Sequence, residues 1–208
     1  MIILHHLEES RSQRVLWLLE ELGLPYEVKR YARDPKTRLA PPELKAIHPL
    51  GKSPVLAVNG RVLAESGAIV EYLAETEGNG ALAAPPGHSN RGDYLYWLHF
   101  AEGSAMLPIL MMLYVSRLGE AGAPLHPRIY SEIDNHLGHA NAALGARDYF
   151  VDDTFTAADV QMSFVLDAAN VGGRLAQYPN LARARALNQS RPAYLRALER
   201  GGPYKMGA

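Results

Sequence analysis

Three short stretches place hydroxyls, carboxylates and bases where together they can hold a charged ligand. The first is Glu8-Glu9-Ser10-Arg11-Ser12-Gln13-Arg14, lying between an apolar run and a helical one. In the simplest reading a serine here caps the helix; the same first-turn amides and hydroxyl also converge on a spot that suits negative charge. The second is His48-Pro49-Leu50-Gly51-Lys52-Ser53-Pro54-Val55-Leu56. Proline cannot donate to a sheet ladder, so Pro54 at the head of a strand marks a turn. Either that proline is an ordinary trans one, or the Ser53-Pro54 bond is cis, which costs only about 0.5–1 kcal/mol and turns the Ser53 backbone outward toward an extended ligand. The third is Ala64-Glu65-Ser66-Gly67-Ala68-Ile69. Ser66 is a cap, or it joins free amides in holding a carboxylate while Glu65 faces a cation, which together are the two ends of an α-amino acid.

These stretches need elements to present them. Met1–His5 reads as a buried strand, and Val15, Leu16, Leu18, Leu19 and Leu22 recur at helical spacing until Gly23 supplies a stop. Tyr26–Tyr31 is a second strand, and Pro35–His48 a loop with a short helix. Ser53–Val58 and Arg61–Ala64 flank Asn59-Gly60, the strongest short hairpin signal because both positions tolerate positive φ. Ser66–Thr76 closes with a helix. A right-handed βαβ unit followed by a hairpin makes a four-stranded mixed sheet, and all three stretches then fall at one end of it.

From Asn90 onward the periodicity is helical. Helices are expected at about 90–118 and 127–144, with shorter ones beginning near Thr156, Leu181 and Pro192. Pro108 should bend the first. Thr156 and Asp159 have the spacing of a capping pair, a structural role. Gly78-Asn79-Gly80 and Pro85-Pro86-Gly87 bracket a linker. The expected domains are 1–77, α/β; a linker at 78–89; and 90–208, all-helical. Such a chain, 208 residues long, buries roughly 70% of its unfolded surface and needs no staples.

Composition removes several chemistries. With no cysteine there is no disulfide framework, thiolate metal site or cysteine nucleophile. A formal net charge of −1 gives no electrostatic case for nucleic acid. Met1–Leu4 is too short for a signal segment, and Ala105–Val115 is about half a membrane span. A cytoplasmic protein without a membrane span is expected. His136 and His139 lack a third ligand at recognisable spacing, so no metal is expected.

A rim that offers amides to a carboxylate, a carboxylate to an ammonium, a strand edge to a peptide and a hydroxyl to an anion fits a short acidic peptide bearing a thiolate. Glutathione is that ligand. The Ser-Arg pair, the His-Pro-Leu-Gly-Lys-Ser-Pro-Val-Leu turn and the Glu-Ser-Gly-Ala-Ile-Val-Glu-Tyr-Leu helix start resemble the cytosolic glutathione transferases over nearly the whole chain. Arg33-Asp34 through Ala40-Pro41-Pro42-Glu43-Leu44-Lys45, with Ala101-Glu102-Gly103-Ser104, is similar to a fungal and bacterial subgroup that includes a yeast glutathione transferase.

The resemblance implies a thioredoxin-like βαβαββα domain joined to a helical bundle, and a cytoplasmic homodimer that conjugates glutathione to hydrophobic electrophiles in detoxification. It implies that Pro54 is cis, that the Ser53 backbone pairs with the cysteinyl part, that Glu65 and Ser66 hold the γ-glutamyl end, and that Lys52 meets the glycyl carboxylate. Family members stabilise the thiolate with a tyrosine, serine or cysteine after the first strand. Cysteine is absent, and Tyr26, the first tyrosine, belongs to the second strand. That leaves Ser10, which best matches the serine type, then Ser12, with backbone amides or Arg11 as further alternatives; Ser12 is expected to cap the helix.

A thiol with pKa about 8.5 is a few per cent ionised at pH 7, and each unit of depression takes about 1.4 kcal/mol. A charge-assisted hydrogen bond supplies about 1.5–3 kcal/mol, and a helix N-terminus about 0.3–1 kcal/mol more. Serine as donor therefore suffices. The electrophile is expected against the first long helix, where Tyr94, Trp97, Leu98, Ala101, Ala105, Met106, Ile109, Leu110, Met112, Leu113 and Tyr114 exceed what one core face needs; His99 and Glu102 lie on the same helix. Glutathione-dependent peroxide reduction and a non-catalytic binding module are the alternative functions.

Overall fold

A computed structural model describes residues 1–207. All of β1 (Ile2–Leu7) except Ile3 is buried. That is what a strand with neighbours on both edges and cover on both faces requires. It pairs in parallel with β2 (Tyr26–Tyr31), in register from Ile2↔Tyr26 to Leu7↔Tyr31. On its other edge it runs antiparallel to β3 (Val55–Val58), from Ile2↔Val58 to His5↔Val55. β4 (Arg61–Ala64) completes the order β2-β1-β3-β4. The β3–β4 turn is Asn59-Gly60, with φ of 50° and 74°, as the dipeptide predicts.

α1 (Ser12–Leu22) buries every residue from Ser12 to Leu19, and Gly23, at φ 62°, ends it by donating its N–H to the Leu19 carbonyl. A short α2 (Glu43–Ile47) precedes the Ser53–Pro54 turn, whose peptide bond is cis. α3 (Ser66–Tyr72) continues into a π-helical turn at Leu73–Glu77 and packs on α1.

In the helical part, α4 (Arg91–Phe100) and α5 (Met106–Val115) are joined by a π-helical turn at Ala101–Ala105. The distortion expected at Pro108 therefore begins one turn earlier, where the wider ladder makes room for the proline ring, which would otherwise meet the carbonyl four residues back. A tighter 3₁₀ stretch at Ser116–Leu125, broken at Gly119 (φ 57°, ψ −133°), leads into α6 (His126–Leu144). α7 (Ala157–Val171) starts with the expected capping box: the Thr156 hydroxyl accepts from the Ala158 N–H at 3.3 Å, and Asp159 Oδ2 accepts from the Thr156 N–H at 2.8 Å. α8 (Pro179–Ser190) and α9 (Pro192–Gly201) follow.

The run from Arg91 to Leu144 contains an 18-residue window apolar enough by composition to cross a membrane, longer than the segment singled out in the sequence. Of its helices, α4 packs on α7 and α5 on α6, the arrangement of a helical bundle. Of the apolar residues expected to meet an electrophile, Tyr94, Trp97, Leu98, Ala101, Ala105 and Met106 are core, whereas Leu113 and Tyr114 are more than half exposed.

Contacts divide the chain into Met1–His88 with the segment from Asn188, and Ser89–Leu187. The seam after His88 lies within the expected linker. The last helix differs from expectation. α9, placed by its periodicity in an all-helical domain running to the C-terminus, packs on α1 and groups with the sheet. Periodicity reveals an apolar face, here Ala193, Tyr194, Ala197 and Gly201, but not which partner covers it.

Candidate functional site

The loop after β1 carries two hydroxyls with different surroundings. Ser10 keeps 6% of its surface exposed, while Ser12 keeps none. The Ser12 N–H donates to Ser10 Oγ at 3.2 Å, so Ser10 satisfies an orphan amide at the start of α1. This reverses the expectation that Ser12 does the capping. The Ser10 hydroxyl lies 2.7 Å from the Leu7 carbonyl oxygen and 2.8 Å from Ser12 Oγ. Ser12 Oγ lies 2.9 Å from His6 Nδ1 and 3.1 Å from the Leu7 carbonyl oxygen. Ser12 is thus fully enclosed and bonded to His6 and the Leu7 carbonyl, while Ser10 keeps a small exposed fraction.

His6 completes this chain. It is 3% exposed, and burial, with the Arg30 charge as the next cause, pushes its pKa down to about 4. At neutral pH the ring is uncharged, with hydrogen-bonding capacity on both nitrogens. The Gly201 backbone, at the end of α9, supplies a further hydrogen bond. His6 was not singled out in the sequence. The signal was its strand parity: period two puts His6 on the face of Ile2 and Leu4, and a buried polar group needs partners.

The other two stretches are tied to this loop. Ser53 Oγ accepts from the Leu7 N–H at 3.1 Å and donates to the His5 carbonyl at 3.0 Å, pinning the turn to the end of β1. Pro54 is buried, Lys52 is exposed and Arg11 is half-buried. Glu65 is exposed and has φ 71°, ψ 116°, a region that L-residues seldom occupy and that concentrates at functional sites. Ser66 is 4% exposed, and its Oγ accepts from Nη1 of Arg14, itself 1% exposed, at 3.3 Å. The start of α1 and the start of α3 are therefore in direct contact. Arg14 was not singled out beyond its place in the first stretch; a cation on the buried stripe of an apolar helix was the available signal.

Among the described residues, no three histidine or acidic side chains are placed to share a metal ion. In the helical unit a shallow depression of about 470 Å³ is lined by Leu95, Tyr96, His99, Phe100, Gly103 and Ser104.

Comparison with known proteins decides the family. The glutathione S-transferase N-terminal domain family matches residues 10–76. Glutathione S-transferase 3 of Schizosaccharomyces pombe is 35% identical over 96% of this chain and 88% of its own length. The chain belongs to the glutathione S-transferase family. Glutathione S-transferase 1 of Saccharomyces cerevisiae is 34% identical, covering 81% of each chain. A crystal structure of a glutathione S-transferase from Actinobacillus pleuropneumoniae superposes with a TM-score of 0.91 at 36% identity, over 99% of this chain and 95% of that one. A glutathione transferase family member from Pseudomonas fluorescens, solved with two glutathione molecules bound, is 28% identical with a TM-score of 0.79, over 95% and 92%. The thioredoxin-like N-terminal domain of this glutathione S-transferase and its helical C-terminal part are those of the family.

Proposed function

We propose that this glutathione S-transferase binds glutathione at the rim formed by the three stretches and that the Ser10 hydroxyl stabilises the thiolate. The observation that carries the assignment is the contrast between the two serines: Ser12 is enclosed and bonded inward, while Ser10 retains exposed surface at the start of α1. When a thiolate arrives, the Ser10 hydrogen exchanges a neutral acceptor, the Leu7 carbonyl or Ser12 Oγ, for a charged one, worth about 1.5–3 kcal/mol against about 0.5–1.5 kcal/mol. The Ser12 N–H stays on the Ser10 oxygen and polarises it further.

The Ser53 backbone pairs with the cysteinyl unit, Glu65 and Ser66 hold the γ-glutamyl end, and Lys52 and Arg11 offer positive charge to the acidic tripeptide. The co-substrate is a hydrophobic electrophile, for which the helical unit offers the depression lined by Tyr96 and Phe100. The enzyme works in the cytoplasm as a homodimer, and size-exclusion elution at the mass of one 22.8 kDa chain would count against that assembly.

The test of Ser10 is a spectroscopic titration of the bound thiol. In Ser10→Ala its pKa should rise by about one to two units, the equivalent of one charge-assisted hydrogen bond. An unchanged curve refutes the assignment.

A further inference from the structure

Arg33, in the Arg33-Asp34 pair noted in the sequence, spends its guanidinium on the backbone that leads into Ser10. Its Nε donates to the Glu8 carbonyl at 3.0 Å, Nη2 to the Glu9 carbonyl at 2.8 Å and Nη1 to the Arg38 carbonyl at 2.8 Å. Its own backbone N–H donates to Glu8 Oε1 at 2.9 Å. Two of those carbonyls belong to the residues immediately before Ser10. Glu9, with φ 50°, holds a left-handed conformation that a non-glycine residue adopts only when its surroundings impose it.

The platform beneath Arg33 is itself built. Asp34 Oδ1 accepts from the N–H groups of Lys36 (3.0 Å) and Thr37 (2.7 Å) and from the Thr37 hydroxyl (2.9 Å). The Arg38 N–H donates to the Asp34 carbonyl at 2.9 Å, and the Asp34 N–H donates to that of Leu39 at 3.0 Å. This closed turn fixes the Arg38 carbonyl that anchors the far side of the guanidinium. The Glu9 carboxylate in turn accepts from the N–H groups of Lys205 at 2.6 Å and Met206 at 3.3 Å. The Ser10 loop is thus gripped by its main chain at Arg33 and by the Glu9 side chain at the tail after α9.

We propose that Arg33 is a positioning residue for the reaction: its planar fork, bridging two successive carbonyls, holds Glu8-Glu9 so that the Ser10 hydroxyl meets the thiol sulfur. A lysine ammonium is a single point of charge and cannot reproduce a fork that reaches three separate carbonyls. This inference rests on the assignment of Ser10 above.

The experiment uses the full-length protein with Arg33→Met and Arg33→Lys. Three quantities are measured: the pKa of bound glutathione's thiol, the split of turnover into kcat and KM, and the calorimetric Kd of S-methylglutathione, which has no thiol to ionise. A positioning role predicts that Arg33→Met raises the thiol pKa by about one unit and lowers kcat about tenfold at pH 7. The Kd of S-methylglutathione should stay within about threefold, with Arg33→Lys falling between. In Ser10→Ala/Arg33→Met the thiol pKa should equal that of Ser10→Ala alone, because the effect passes through Ser10. An unchanged thiol pKa in both Arg33 variants overturns the inference. So does a parallel loss of S-methylglutathione binding, turnover and thermal stability, or failure of both variants to fold, since each marks Arg33 as structural only. If Ser10→Ala shifts the pKa and Arg33→Met does not, this inference alone fails; if Ser10→Ala has no effect, the Ser10 assignment fails.

Discussion

Two hydroxyls two residues apart do different work because one hydrogen and two lone pairs must be shared out among fixed neighbours. Ser12 is committed to His6 and the Leu7 carbonyl, and Ser10 takes the Ser12 N–H. Replacing Ser12 with alanine should therefore leave the ring of His6 without its Nδ1 partner inside the fold. The expected cost is about 1–3 kcal/mol in chemical denaturation. Its effect on the bound thiol's pKa should be smaller than that of Ser10→Ala. A Ser12 variant with native stability and a larger pKa shift would reverse the two roles. The sequence displayed both hydroxyls, but their choice of partners depends on β1 parity and on α9 approaching His6, so it could not be read from spacing.

At the scale of elements, α9 is the part whose place the sequence left open. Trp17 of α1 meets Tyr194 edge to face, with ring centroids 5.2 Å apart, and its Nε1 donates to Glu21 Oε1 at 2.8 Å. Glu21 also pairs with Arg191 at 2.6 Å, and Glu20 with Arg196 and Arg200 at 2.8 and 3.0 Å. Arg196 and Arg200 are half exposed, so their pairs are worth at most about 1 kcal/mol each. The close fit of backbone to α1 matters more. A Cβ at Gly201 would sit 2.8 Å from Leu16 Cδ2, 3.1 Å from Gln13 Oε1 and 3.2 Å from His6 Nε2. Gly201→Ala should therefore destabilise the protein by about 1–3 kcal/mol, read as a lower denaturation midpoint. Native stability in that variant would mean that α9 shifts at little cost. At the start of α7, Thr156→Ala should remove about 1 kcal/mol, because there the cap is seen in full.

For the whole molecule, two buried groups pull stability in opposite directions over the same pH range. Burial lifts Asp159 to about 6, against hydrogen bonds from the Phe150 and Thr156 backbone. The folded protein holds that proton where the unfolded chain has lost it, so its contribution is full below about pH 4 and gone above about pH 6. His6 does the reverse. Folding keeps it neutral down to about pH 4, so its contribution is full above about pH 6.5 and is lost as the pH falls toward 4. Each amounts to about 3 kcal/mol, and in the native protein they largely cancel. Asp159→Asn should therefore gain stability relative to wild type as pH rises from 4 to 6, and His6→Gln should lose it, in denaturant titrations at matched pH. Parallel curves for the two variants would show that neither group titrates as its surroundings dictate.

The sequence by itself determined the succession of strands and helices in the first 77 residues, the Asn59-Gly60 hairpin, the capping box at Thr156 and the three stretches of the candidate site, because each is written in period, turn chemistry or cap spacing over a few neighbouring residues. Only the tertiary structure decided that Ser12 faces inward to His6, that Arg14 reaches Ser66, that Arg33 grips Glu8 and Glu9, and that α9 returns to α1. Apart from the first, which joins the end of β1 to the start of α1, those are contacts between segments far apart in the chain. Their partners are chosen by which buried donor and acceptor are left unsatisfied once the elements have packed, and local pattern carries no record of that.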